Sequence, residues 1–214
     1  MTTRFWRHCM LALSAATLLV ACKGKSEYAD TTSAAGAVAG SDSANRAAGA
    51  STGASAMASN GGGWTDGQIL AFAAAANRGE IAEGKLATTK ATNAKVKAFA
   101  RQLVTDHQTL LTEGNSFAKK NNITPDSTKD DVKDLQKGAL DDMQDLTTKA
   151  KGNDWDKDFV DKEIDGHKKV LDKLQDAQNS TSNPQLKDML TKAAAKVQDH
   201  LNKAQALKDS TLKS

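Results

Sequence analysis

Large hydrophobic residues recur at intervals of three and four positions throughout residues 64–210. This spacing places them on one face of an α-helix, whereas a half-buried β-strand would alternate hydrophobic and polar residues at every second position. That alternation occurs nowhere in the sequence, and both prolines lie outside the periodic stretches. The pattern therefore predicts an all-α domain over residues 64–210, which is long enough to bury one core.

Five segments with this spacing are predicted to be helices: residues 66–90, 94–120, 129–150, 154–178 and a last helix that begins at residue 184. Thr65 and Gln68 form a capping box before the first helix, and Asn93 is an N-cap for the second. Pro184 follows the N-cap residue Asn183 and opens the last helix, at a position where its missing N–H costs nothing.

Histidine interrupts three of these hydrophobic faces. In the stretch LVTDHQTLL, His107 occupies a position where a helix would normally bury leucine. His167 and His200 lie in the inward rows of two other helices, while the fourth histidine of the chain, His8, is near the N-terminus. About three positions in seven face inward in a bundle helix, so the chance that all three do so is below about one in ten.

The three inward histidines fall at similar heights if the bundle contains a crossover. His107 and His167 each lie fourteen residues after the asparagine at the start of their helix, so they are level if the two helices run parallel. Residues 129–150 would span about 33 Å as a helix, which is long enough to connect parallel neighbours. The short turn near residue 182 then brings His200 within about one helical turn of His167.

A layer of three neutral imidazoles with a carboxylate suits Zn, Cu, Ni or Fe. Glu163 lies one turn before His167, whereas Glu80 and Glu83 lie about 6 and 10 Å along the first helix from the level of His107. Two other interpretations stay open: a polar layer whose hydrogen bonds fix the register of the helices, or histidines that reach the surface. The Glu-x-x-His pairs of di-iron bundles are absent, which disfavours a di-iron enzyme.

The sequence offers little else for catalysis. Asp106 and Asp199 each precede a histidine, but adjacent residues of a helix do not share a face, so neither forms a dyad with its neighbour. There is no nucleophile elbow and no Gly-rich phosphate loop behind a strand. We therefore expect a protein that is not an enzyme, with a metal-dependent enzyme as the less favoured alternative.

The first 21 residues have the features of a secretory signal peptide. Arg4 and Arg7 precede a hydrophobic run that is too short to span a bilayer. The following LLVAC resembles the lipobox of bacterial lipoproteins, which implies a lipid on Cys22 and attachment to the membrane of a bacterial envelope. Lys23 replaces the aspartate that retains many such proteins at the inner membrane, which favours the outer membrane, facing the periplasm.

Residues 22–63 are predicted to be a flexible tether, because they consist mostly of small and polar residues that cannot offset the entropy of ordering. The formal net charge is +3, and lysine and aspartate are interspersed along the helices. With no basic block and only 4% aromatic residues, the sequence argues against nucleic-acid binding. Cys9 is removed with the signal peptide and Cys22 takes the lipid, so no disulfide or thiol site is expected.

Three stretches of the chain resemble the bacterial domain of unknown function 4142: GEIAEGKLATTKATNAKVKAFARQLVTDH, WDKDFVDKEIDGHKKVLDKL and NPQLKDMLTKAAAKVQDHL. The resemblance covers about residues 66–208. The family pattern has a Glu, an Asp-His pair and two further histidines, and these places are occupied by Glu83, Asp106, His107, His167 and His200. The chain departs from the pattern at Trp155-Asp156 and Phe159-Val160, which replace Phe-Asp and Tyr positions.

The resemblance implies a ferritin-like four-helix bundle with an additional crossover helix between the second and third bundle helices, and it adds Glu83 to the candidate ligands. For function, we expect a lipid-anchored, non-enzymatic binding or envelope-stress module whose protein partner the sequence does not indicate. The alternative is a metal-binding or metal-buffering protein that uses His107, His167 and His200 with Glu83 or Glu163.

Overall fold

A computed structural model describes residues 63–211, and all regular structure in that range is helical. The predicted signal peptide, the predicted lipidation site Cys22 and the predicted tether up to residue 62 lie outside the described residues. The five helices are α1 (Asp66–Lys90), α2 (Ala94–Lys120), α3 (Asp130–Thr148), α4 (Asn153–Ser180) and α5 (Pro184–Thr211). The prediction of an all-α bundle is therefore confirmed, with α3 slightly shorter and α4 slightly longer than expected.

Local capping explains why the helices begin where they do. Thr65 and Gln68 form the predicted capping box, and the Asn93 side chain accepts a hydrogen bond from the Lys95 N–H at 2.8 Å. Asn183 accepts from the first backbone N–H groups of α5. The chain turns into α4 at Gly152, whose φ of 149° lies in the region that favours glycine.

Hydrogen bonds between the helix ends fix the arrangement of α1, α2, α4 and α5. Asp156, near the start of α4, accepts hydrogen bonds from the backbone of Thr92 and Asn93 just before α2, so these two helices start at the same end of the bundle. At the other end, the Thr181 hydroxyl donates to Asp66 of α1 at 2.7 Å. The short turns after α1 and after α4 make each of these helices antiparallel to its successor.

Helix α3 packs mainly against α1 and also contacts α4. Its C-terminal end is closely tied to both neighbours, because Lys90 Nζ donates to the carbonyl oxygens of Leu146, Thr147 and Lys149. The Trp155 indole N–H donates to the same Leu146 carbonyl at 2.8 Å. These bonds satisfy carbonyl groups that a helix end otherwise leaves without partners.

The core consists of two hydrophobic clusters, one toward each end of the bundle. One cluster includes Ile69 and Phe72 of α1 with Leu186 and Leu190 of α5, and the other is built around Trp155 at the start of α4. Every long helix of the bundle passes from one cluster to the other, and the buried residues Asn77, His107, Glu163, His167 and His200 lie between them. None of the helices described here is both long and hydrophobic enough to cross a membrane.

Candidate metal centre

The three inward histidines meet between the two hydrophobic clusters. His107 of α2, His167 of α4 and His200 of α5 have ring centroids 5.1–5.8 Å apart. Each of the three histidines has one ring nitrogen that lies within 4.8 Å of a ring nitrogen of each of the other two. Their exposures are 3%, 1% and 0%, so the interpretation that they reach the surface is wrong.

A hydrogen bond fixes the tautomer of His107. Its Nδ1 lies 2.8 Å from Asn77 Oδ1 on α1. The amide orientation of Asn77 is itself set, because its Nδ2 donates to the Ala73 carbonyl at 2.8 Å. Since an amide oxygen only accepts, Nδ1 of His107 carries the proton and Nε2 carries a lone pair.

The other two rings are held in the same way. His167 Nδ1 donates to the Glu163 backbone carbonyl at 2.8 Å, which leaves the lone pair on its Nε2. His200 Nε2 donates to Asp106 Oδ2 at 2.8 Å, which leaves the lone pair on its Nδ1. Burial raises the pKa of Asp106, but hydrogen bonds from His200 and Gln102 outweigh this and hold it below its usual value, so Asp106 is the carboxylate acceptor.

Three lone pairs consequently converge inside the bundle. His107 Nε2 is buried without a hydrogen-bond partner among the described residues. His167 Nε2 and His200 Nδ1 lie 3.4 Å apart, and neither carries a proton to donate to the other. Burial lowers the pKa of His107 to about 4 and also lowers that of His200, which favours the neutral form of these two rings.

Two carboxyl groups lie on the opposite edge of the His167 ring. His167 Nδ1 is 3.7 Å from Glu80 Oε1 and 3.5 Å from Glu163 Oε2. Burial, and next the neighbouring Glu80, raise the pKa of Glu163 well above its usual value. Burial also raises the pKa of Glu80, but His167 and His107 outweigh it, and the net shift is downward. Glu163 is therefore the carboxyl group of this pair that holds its proton more strongly.

Glu83 is buried one turn further along α1, outside both groups of convergent ligand atoms in the described part of the chain. Burial, and then the charges of Glu80 and Asp142, raise its pKa to about 8. Of the carboxylates considered from sequence, Glu163 and Glu80 approach His167 and Glu83 does not. The residue level with His107 on α1 is Asn77, one position from the Ala76 that the helix heights indicated.

A small cavity of about 30 Å³ adjoins the histidines. His107, His167, Asn77 and Glu80 form its polar wall, and hydrophobic side chains of all four long helices form the rest. A space of this size accommodates roughly one water molecule.

The model of the domain of unknown function family DUF4142 matches residues 47–207. The chain belongs to this family. The match begins within the segment rich in Ala, Gly and Ser, ahead of α1, and ends at residue 207 in the last part of α5. No curated protein and no solved structure matches the chain.

Sequence reasoning gave no role to two polar residues of this DUF4142 site, Asn77 and Asp106. Asp106 does not pair with its neighbour His107, in agreement with the sequence argument, but it faces α5 and holds His200. Asn77 lies three residues before Glu80, which in turn lies three before Glu83. That three-residue spacing of polar residues within a hydrophobic helix is the signal that could have revealed Asn77.

Proposed function

We propose that the bundle binds one divalent transition-metal ion at His107, His167 and His200. The observation that carries this proposal is the convergence of three unprotonated ring nitrogens, each on a ring whose other nitrogen donates to a fixed acceptor. Histidine ligands of protein metal sites are oriented in this way by carboxylates and backbone carbonyls. Tetrahedral ligands at a metal–nitrogen distance of 2.0–2.1 Å are about 3.3 Å apart, close to the 3.4 Å between His167 Nε2 and His200 Nδ1.

The ligand set favours Zn, Cu, Ni or Fe, because neutral imidazoles suit these metals. The carboxylates of Asp106 and Glu80 would balance the charge of a divalent ion in this buried position. Three protein ligands leave one coordination position, and the adjoining cavity of about 30 Å³ has room for a water molecule but not for an organic substrate. We therefore propose metal binding or buffering rather than an enzymatic reaction.

A histidine layer held only by its own hydrogen bonds is less well supported. Such a layer needs donors opposite acceptors, as in the pairs of His107 with Asn77 and of His200 with Asp106. At its centre, however, three acceptors face one another. A cation would be coordinated by all three lone pairs, whereas the neutral rings offer one another no donor.

Metal uptake by the purified, untagged full-length chain tests the proposal. After treatment with a chelator, the protein is titrated with Zn²⁺, Co²⁺, Ni²⁺, Cu²⁺ and Fe²⁺ while bound metal and melting temperature are measured. We expect one tightly bound Zn²⁺ per chain, a higher melting temperature with metal, and loss of both effects in His107→Ala. Gln198→Ala, an exposed change on the same helix as His200, is the control. No uptake by the wild type, or equal uptake by His107→Ala, would overturn the proposal.

We further propose that this bundle is anchored in a bacterial envelope through a lipid on Cys22, at the outer membrane and facing the periplasm. The support is the LLVAC motif behind a basic start and a short hydrophobic run. Labelling with a radioactive fatty acid, followed by membrane fractionation, tests this in a bacterial host. We expect label and membrane association in the wild type and neither in Cys22→Ser; a labelled Cys22→Ser chain would contradict the anchor.

A further inference from the structure

A groove of about 580 Å³ opens between α1, α3 and α4. Eight acidic side chains and three lysines line it, so its charge is predominantly negative. Two of the lysines are already engaged by aspartates, Lys162 with Asp142 and Lys173 with Asp131. A cleft with an excess of one charge concentrates ions of the opposite charge, and this one therefore attracts cations.

The groove extends inward to Glu80, which also lines the small cavity beside the histidines. Behind Glu80 lies Glu163, whose side chain has no exposed surface. Neither oxygen of Glu163 has a donor as a partner in the described part of the molecule, and the same holds for Glu80 Oε2. A buried carboxylate without donors is costly, and the cost is met by a proton or by a cation.

We propose that Glu80 and Glu163 form a second divalent-cation position, separate from the three-histidine centre and on the opposite edge of the His167 ring. The ligand atoms of Glu80, Glu163 and His167 lie within 4.8 Å of one another. His167 Nδ1 already donates to the Glu163 carbonyl, so the carboxylate oxygens are the ligands, and water from the groove completes the coordination.

The chemistry of this position differs from that of the histidine centre. Oxygen ligands suit Mn²⁺ and other hard cations, whereas imidazole nitrogen suits Zn²⁺, Cu²⁺ and Ni²⁺. The two positions therefore select different metals although only one imidazole ring lies between them. The carboxylate position is argued from its own unpartnered oxygens and does not depend on a metal at the histidines.

Titration of the chelator-treated full-length chain with Mn²⁺, followed by electron paramagnetic resonance, tests the second position. We expect about one Mn²⁺ per chain in the wild type and in His107→Ala, with at least tenfold weaker binding in both Glu163→Gln and Glu80→Gln. Glu113→Gln, which changes an exposed glutamate on α2, is the matched control and should bind like the wild type. Circular dichroism identifies any variant that fails to fold, and the second glutamine variant then decides the result.

The outcomes of this titration distinguish the carboxylate position from the metal centre proposed at the three histidines. If Glu163→Gln still binds Zn²⁺ but no longer binds Mn²⁺, the result supports two separate metal positions. Unchanged Mn²⁺ binding in both glutamine variants, or no Mn²⁺ binding by the wild type, overturns the carboxylate position alone. Loss of Mn²⁺ in His107→Ala would mean that one shared site binds both metals, which also overturns it.

Discussion

Two buried carboxyl groups on α4 lie seven residues apart and have opposite surroundings. Asp156 and Glu163 are each 1% exposed. Asp156 accepts hydrogen bonds from the Thr92 N–H at 2.9 Å, the Thr92 hydroxyl at 2.6 Å and the Asn93 N–H at 2.7 Å. Glu163 accepts none from any donor in the described residues.

This contrast separates a structural acid from a candidate ligand on the same helix. The donors around Asp156 stabilise its charge and tie the start of α4 to the turn before α2, so the group serves the fold. Glu163 lies among other carboxyl groups and histidines, where its burial contributes nothing to stability unless a proton or a cation is present. Two equally buried carboxyl groups can therefore have different roles, because their hydrogen-bond partners differ.

The hydrogen bonds that Asp156 accepts predict a large effect of Asp156→Ala on stability. The change leaves three buried donors near Thr92 and Asn93 without an acceptor, and we expect the free energy of unfolding to fall by about 4 kcal/mol. Denaturant unfolding measures it. Asp156→Asn, which keeps an acceptor oxygen, should lose less. A loss below about 1 kcal/mol for the alanine variant would remove the contrast with Glu163.

Glu83, a buried carboxyl group whose pKa is raised by its surroundings, should behave in the opposite way. Its pKa of about 8 in the folded protein exceeds the ordinary value of 4.5, so the unfolded chain ionises first and stability is lost as pH rises from about 4.5 to 8. Glu83→Gln removes this loss and should stabilise the protein by about 3 kcal/mol at pH 7, with little gain at pH 4.5. Unfolding curves at the two pH values test this, and a gain that does not change with pH would contradict it.

His107 extends the comparison to a buried base. Its pKa is lowered to about 4, so below pH 6.5 the unfolded chain takes up a proton that the folded chain does not. Metal-free wild-type protein should therefore lose about 2 kcal/mol relative to His107→Leu between pH 7 and pH 5. Parallel denaturant titrations in the presence of chelator measure this difference. If the two proteins respond equally to acid, His107 is not buried in its neutral form.

Asp106 is intermediate between Asp156 and Glu163 in its surroundings. Its carboxylate has a single histidine partner inside the bundle and Lys196 at its outer edge. Asp106→Asn keeps an acceptor for His200 but removes the charge, so we expect about tenfold weaker Zn²⁺ binding with little change in stability. Competition with a chromophoric chelator measures the affinity. Unchanged affinity would show that Asp106 orients the ring without strengthening it as a ligand.

The helices were predictable because their starts depend on local chemistry. Thr65, Gln68, Asn93 and Asn183 cap the helices as predicted, and these contacts involve residues two or three positions apart. The heights of the histidines followed from residue counts along rigid helices. Both kinds of inference use distances along the chain, and the fold preserves those distances.

The remaining partners depend on rotation about the helix axis, which residue counts fix less well. Adjacent residues point about 100° apart, so an error of one position changes the neighbouring helix that a side chain meets. Asp106 therefore meets His200 of α5 instead of serving its own neighbour, and Asn77 rather than Ala76 meets His107. The family resemblance favoured Glu83 on α1, whereas Glu80 is the glutamate of that helix that lies beside His167.

The enclosure of the histidine layer has a kinetic consequence. Its three ring nitrogens come from three different helices, and the histidines are 3%, 1% and 0% exposed, so their rings have almost no contact with solvent. An ion bound there would leave through a local opening of the packed helices, so we expect its residence time to follow the rate of that opening more than the strength of the metal–nitrogen bonds. If the proposed metal binds there, its exchange half-life should therefore be long and should shorten in mild denaturant.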